Sequence, residues 1–247
     1  MSLENAYKTF ELPGSKYYKL AEIEMPEQVS LRHMTVKDVK YFSQLAENAD
    51  LEKFIDQILK SCCKESLNWN ALLDGDRVFM FYMIRALTMD NMYSFVTPCS
   101  DCGHKMSASA DLFALPHKEY DESLGYPMKV SLPKAGKVAD VVFPNRMIEK
   151  KVGKMIEDFL KTAPGATPPE EEYRLKEIIK SVEGFEGVDL FNFISGMHYM
   201  DYKAIEKAIR KNGPGLDLEV LLDCEECGFQ NSITFSLKIK EFFLIGD

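Results

Sequence analysis

The chain has 247 residues, 46% hydrophobic and 28% charged, and its 30 basic and 39 acidic side chains give a net charge of −9. This is ordinary globular composition, long enough to bury a sizeable core as one large domain or two moderate ones, and no apolar run approaches the roughly 20 residues that span a membrane. The acidic balance, with no clustered basic face, excludes a general nucleic-acid binder, because phosphate contacts need grouped Lys and Arg.

In chain order, Phe10–Lys19 with its Pro13-Gly14 turn and then Gln28–Arg32 are expected to be extended, a β-arm over residues 1–34. Thr35, with Asp38 three positions on, opens a helix carrying Val36, Val39, Tyr41, Phe42 and Leu45; the strict capping box would have Glu or Gln at the third position. Asp50 can cap a second helix, on which Phe54, Ile55, Ile58, Leu59 and Cys62 share a face. Trp69, in the loop that follows, is expected as a core plug. Asp74-Gly-Asp-Arg77 opens a third helix that is apolar nearly all round and should be central to a helical core, with Asp74 and Asp76 as cap and first-turn acid and Arg85 in an ion pair.

Strands are expected at Tyr93–Thr97 and Lys105–Leu112, and at Met128–Leu132 and Lys137–Phe143 around Pro133-Lys-Ala-Gly136. A helix over Asn145–Leu160, whose wet side carries the densest basic stretch, stops at the proline-rich segment Thr162–Pro169, the best hinge in the chain. Helices at Glu170–Val182, Val188–Met197 and Asp201–Lys211 precede strands at Leu216–Leu222 and Asn231–Leu237. The fold class is therefore α+β, a mainly helical core with β-hairpins. Three regions follow: the arm at 1–34, a helical core at 35–160, and a helical segment with a C-terminal hairpin at 161–247 that packs back on the core.

The chemistry-bearing pattern is a pair of knuckles, Cys99-Ser-Asp-Cys102-Gly103 and Cys224-Glu-Glu-Cys227-Gly228, each at the tip of an expected hairpin. A Cys-x-x-Cys turn sets two sulfurs on one side of the backbone, and the glycine relieves the bend, so Cys99, Cys102, Cys224 and Cys227 together suit a split, ribbon-like structural Zn2+ site. A redox dithiol or simply buried cysteines are the competing readings. Redox use is disfavoured because the knuckles follow strands rather than opening helices and carry Asp101, Glu225 and Glu226 inside them. The chain start lacks a secretory signal, which favours reduced thiols in a cytosol. Cys62 and Cys63 are expected in or near the core, His104 at the surface. His33, His117 and His198 sit in unrelated contexts, and with no nucleophile–base pair or phosphate loop the chain is expected not to be an enzyme.

The ordered set Leu12-Pro-Gly-Ser-Lys-Tyr17, Val29–Asp38, Leu72–Arg77, Ile84-Arg-Ala86, Pro98-Cys-Ser-Asp-Cys-Gly103, Ala110-Asp-Leu112 and Val130–Pro133 resembles the baseplate hub and hub-assembly proteins of T-even-type contractile-tail phages. The resemblance covers about residues 8–145 and resumes at the second knuckle and Phe242-Phe243; here Pro98 precedes the first cysteine, where the familiar form has proline after it. It implies a non-enzymatic component of the central baseplate, built in the host cytoplasm and placed in the virion tail. Its implied partners are tube, spike, tape-measure or wedge proteins, and it would be an oligomer within the assembly. From the residues alone, a zinc-ribbon adaptor on the transcription machinery is the alternative.

Overall fold

The computed structural model describes residues 6–38 and 51–234. The elements in order are β1 (Lys8–Glu11), α1 (Ser15–Leu20), β2 (Gln28–Leu31), α2 (Leu51–Cys62), α3 (Asp74–Thr88), β3 (Met92–Pro98), β4 (Lys105–Asp111) and β5 (His117–Lys118). There follow β6 (Met128–Leu132), β7 (Lys137–Val141), α4 (Arg146–Thr162), α5 (Glu170–Ile178), β8 (Ile179–Val182), α6 (Gly187–Ser195), α7 (Tyr199–Asn212), β9 (Gly215–Leu216), β10 (Glu219–Asp223) and β11 (Gln230–Thr234). The mixture is α+β, with antiparallel two-stranded pairs β1–β2, β3–β4, β5–β9 and β10–β11 and one three-stranded sheet in the order β6-β7-β8. The expected helix residues Val39, Tyr41, Phe42 and Leu45, the cap Asp50, and Phe242-Phe243 lie outside the described residues.

Two apolar cores carry the structure. The first surrounds α3, whose Phe79, Met80, Phe81, Tyr82, Met83 and Ile84 are all buried, against Phe54, Ile58, Leu59 and Cys62 of α2 and Val29 and Leu31 of β2. Trp69 packs on it, half-buried. The alternation of buried Met128, Val130 and Leu132 along β6 opens the second core, which β7, β8, α4, α5 and α7 complete. Asn145, expected inside the helix, is instead the cap of α4, its Oδ1 accepting the Ile148 N–H at 3.0 Å.

Within residues 8–31 the strands β1 and β2 are extended and pair with each other, but Ser15–Leu20 between them is helical rather than extended. Pro13-Gly14 leads into α1, and Tyr17 is only 2% exposed, packed edge-on against Tyr120, Tyr126 and Phe143. Two adjacent tyrosines suit a strand locally, but burying both rings in the second core outweighs that preference. Asp76 fixes the segment: it is 0% exposed and accepts the Gly14 N–H at 2.8 Å and the Tyr18 hydroxyl at 2.6 Å. It stands in the first turn of its helix as expected, but Asp74 is not the cap: the N-cap position is Leu73, with no side-chain cap. Burial holds the Asp76 carboxyl up at about 6, against the opposing hydrogen bonds from Tyr18 and Gly14. A folded value above the unfolded one means that the folded state binds the extra proton, so stability falls as pH rises toward and through 6. Urea unfolding should show Asp76 adding stability between pH 7 and pH 5, and Asp76→Asn should remove that increment; an identical pH dependence in the two proteins would sink the assignment.

Two other expectations need correction. Glu170–Val182 is not one helix: α5 ends at Ile178, and β-branched Ile179 and Val182 enter β8, pairing with Val141 and Ala139 of β7. The strand expected over Leu216–Leu222 is likewise two, β9 against β5 and β10 against β11. Arg85 reaches the backbone carbonyl of Asp90 through Nη1 and faces the Tyr93 ring. The segment Thr162–Pro169 is bracketed by packed helices, with Arg174 bonding both Glu149 oxygens at 3.2 Å and Lys151 pairing with Glu177 at 3.0 Å.

The start of α3 also touches the turn before β9. A Cβ on Gly75 would lie 1.8 Å from the Pro214 carbonyl oxygen, so only glycine fits, whereas a Cβ on Gly153 of α4 meets nothing within 4 Å. Gly75→Ala should cost about 1–3 kcal/mol through overpacking, while Gly153→Ala should stabilise by about 0.5–1 kcal/mol through helix propensity. Paired urea curves check both signs.

Candidate metal centre

Each knuckle caps a hairpin whose strands fix its orientation. Strands β3 and β4 pair from Met92↔Asp111 up to Pro98↔Lys105, and β10 and β11 from Glu219↔Thr234 up to Asp223↔Gln230. At the first tip the Cys99 N–H bonds the His104 carbonyl at 2.8 Å and the Gly103 N–H bonds the Cys99 carbonyl at 3.0 Å. The second tip repeats both bonds, Cys224 N–H to the Phe229 carbonyl at 2.9 Å and Gly228 N–H to the Cys224 carbonyl at 2.8 Å. Both glycines are left-handed, with φ of 74° at Gly103 and 72° at Gly228, a conformation that a Cβ would penalise. Two equivalent loops thus turn their sulfurs toward one another.

The structure brings all four expected ligands together. Their sulfurs lie within 4.8 Å of one another, with Cys99 to Cys227 at 3.8 Å and Cys102 to Cys224 at 3.7 Å across the two knuckles. A metal bonded to four thiolates at about 2.3 Å sits in a sulfur tetrahedron with an edge of about 3.8 Å, so the donor set fits such an ion and leaves no open coordination position. Cys99 and Cys224 are buried while Cys102 and Cys227 are exposed. Among the described residues this is the one group of three or more His, Cys, Asp or Glu side chains placed to hold a metal ion.

Local electrostatics suit a cation. The Cys102 backbone N–H, joined by the Asn231 side chain and the Asp101 backbone N–H, holds the Cys99 thiol down at about 6. At Cys227 the Phe229 N–H favours the thiolate, but desolvation and the neighbouring sulfurs of Cys102, Cys224 and Cys99 push the thiol up to about 12. A backbone amide and desolvation are the two leading causes at both positions, with the neighbouring sulfurs adding at Cys227, rather than the carboxylates of Asp101, Glu225 and Glu226. Four thiolates this close repel unless a positive ion lies between them.

The other candidates fall elsewhere. Cys62 and Cys63 are buried in the first core, where burial pushes both thiols up to about 12. His104 is exposed and contributes its carbonyl to the knuckle rather than its ring. His198 caps α7, its Nδ1 accepting the Met200 N–H at 3.1 Å.

Sequence reasoning missed Asn231. It is 4% exposed and spans the gap between hairpins: its Oδ1 accepts the Ser100 N–H and hydroxyl, both at 2.9 Å. Its Nδ2 donates to the Phe229 carbonyl at 3.1 Å and points at Cys99 Sγ at 3.5 Å. The available signal was an amide residue next to Ser232 and Ile233 on a strand with period two, on the side that faces the knuckle.

A family model described as T4 bacteriophage base plate protein matches residues 7–244. The chain belongs to that family. As a base plate protein it has a structural role in the phage tail, among other tail and base plate proteins. The match runs through both cores and both knuckles, and includes the helical stretch after residue 145, where no sequence motif anchored the resemblance. Comparison with curated proteins and with solved structures gives no match. Among the described residues of this base plate protein, no helix is long and apolar enough to cross a membrane.

Proposed function

We propose that this base plate protein is a central hub subunit or hub-assembly factor of a contractile tail, acting by protein–protein binding, with a structural zinc ion closing its Cys99, Cys102, Cys224 and Cys227 clasp. The observation that carries the reading is the cluster of four sulfurs joining two distant hairpins in a chain of this family. A closed four-thiolate site stabilises a fold and activates no water, which agrees with a non-enzymatic part. Partners are tube, spike, tape-measure or wedge proteins, met during assembly in the host cytoplasm, and the chain works as an oligomer within that assembly. Leu12, Tyr17 and Tyr18 of the N-terminal segment are committed to the two cores and are not available for docking. The helical surface remains, with Val188 and Phe191 of α6 and Tyr199 and Met200 of α7 exposed.

Mass spectrometry of purified tails, with metal analysis of the same protein, tests location and zinc together. One equivalent of zinc and a tail partner in pull-downs are expected. Absence of the chain from virions would leave the assembly-factor form of the proposal, and absence of any tail partner as well would end it. The adaptor alternative would require binding to transcription proteins in place of tail proteins.

A further inference from the structure

The two knuckles are alike in backbone but not in the side chain behind them. Met106 and Asn231 each stand seven positions after the first cysteine of their own loop, both are buried, and they meet at 3.5 Å between Met106 Sδ and Asn231 Nδ2. Only Asn231 reaches across to the other loop. We propose that Asn231 is the positioning residue of the clasp: its Oδ1 seats Ser100, and with it the first knuckle, against the second hairpin, while its Nδ2 steers Cys99 Sγ toward the shared ion. The inference rests on the zinc reading and goes beyond it, because it makes the second hairpin organise a ligand of the first.

The arrangement has the features of an outer-shell partner. The amide is buried, so its polar atoms must be satisfied within the protein, and they are satisfied from three directions: Ser100, Phe229 and Cys99. A thiolate that accepts a directed N–H keeps its sulfur aimed and its charge partly delocalised, which is how groups behind the ligands tune a metal site. Placing that donor on β11 couples the approach of the hairpins to the aim of Cys99. Methionine at the same place, as in the first knuckle, fills space but has no donor for Cys99 and offers Ser100 only a weak thioether acceptor.

Two substitutions separate the two roles. Asn231→Asp keeps an oxygen for Ser100 but loses the donor to Cys99, whereas Asn231→Met loses both and makes the knuckles alike. Zinc affinity is measured on the full chain by competition with a chromophoric chelator, and cobalt(II) absorption reports the sulfur ligand set. Both variants should still saturate with one metal and show a four-thiolate cobalt spectrum, with zinc affinity lower by about 10–100-fold. Amide exchange at Ser100 should speed up in Asn231→Met and stay near wild type in Asn231→Asp. A folded Asn231→Asp protein, judged by circular dichroism, that binds zinc within twofold of wild type overturns the assignment even if Asn231→Met fails to fold. Wild-type protein that takes up neither zinc nor cobalt overturns the clasp itself, and this inference with it.

Discussion

Replacing Cys224 with serine, or stripping the metal with a chelator, should free the two knuckles from each other while leaving both apolar cores folded. Among the described residues few other contacts join the tips: a small cluster of buried Cys99, Met106 and Cys224 with Ile233 packed against it, and the Asn231 bonds to Ser100. Strands β3–β4 and β10–β11 are separate two-stranded ribbons, and such ribbons are marginal alone in water. A zinc ion bound by four thiolates supplies on the order of 10–16 kcal/mol of apparent binding energy in small zinc domains, far more than those few side chains. Serine keeps the shape of cysteine but loses the thiolate, so affinity should fall by more than the roughly 100-fold upper range for an outer-shell residue. Hydrogen exchange should then accelerate at residues 97–107 and 219–234 and stay slow across β6, β7, α4 and α7. Cys62→Ser, in the first core, should leave metal binding unchanged. Uniform loss of protection after the Cys224 change would mean that the cores depend on the clasp, contrary to their packing.

Asp38→Ala should be the most damaging change away from the clasp. The Asp38 carboxylate bonds Arg32 Nη1 at 2.8 Å and Nη2 at 3.3 Å, the Thr35 backbone N–H and hydroxyl at 2.8 Å each, and the Ser61 hydroxyl. Both charged partners are buried, and Arg32 Nη2 also donates to the Ser61 carbonyl at 2.7 Å. Alanine would strand the guanidinium without its counter-charge, a loss of about 3–5 kcal/mol readable as a large drop in the urea midpoint. Replacing Arg32 and Asp38 together with apolar residues should cost less than the single change, because no buried charge is left alone. Burial by itself would raise the Asp38 pKa, but the bonds from Arg32, Ser61 and Thr35 hold the carboxyl well below the usual carboxylate range. A depressed folded value gives stability that is complete at neutral pH and lost in acid as the group protonates. The sign is opposite to that of Asp76, so the two carboxylates favour a stability maximum in mildly acidic solution.

The two kinds of interaction differ in how far they can be read along the chain. The faces of α2 and α3, the hairpins with knuckles at their tips and the start of α4 near Asn145 follow from local spacing, which registers in a few consecutive residues. The four clustered cysteines were legible for the same reason, since each pair carries its own turn and glycine. What escaped were contacts made between distant segments. Nothing near Asp76 announces that its partners are Gly14 and Tyr18, and nothing near Tyr17 announces Tyr120 and Phe143, so a buried helix resembled an exposed arm. Val182 finds its partner in β7 at Ala139, a distant position in the chain. Asn231 escaped for the same reason, because its main partner, Ser100, lies 131 positions away.

Those distances also bear on how the chain can be made. Residues 12–18 find their seats only when residues 73–143 exist, and Cys102 meets Cys224 across 122 positions. Such long separations slow folding, since loop entropy is lost before the contacts repay it. On the ribosome, the earliest of these segments must wait for its partners, and the clasp can close only after Cys227 has emerged. Capture of the proposed metal would then come near the end of maturation, as a seal on a chain whose two cores can already have formed.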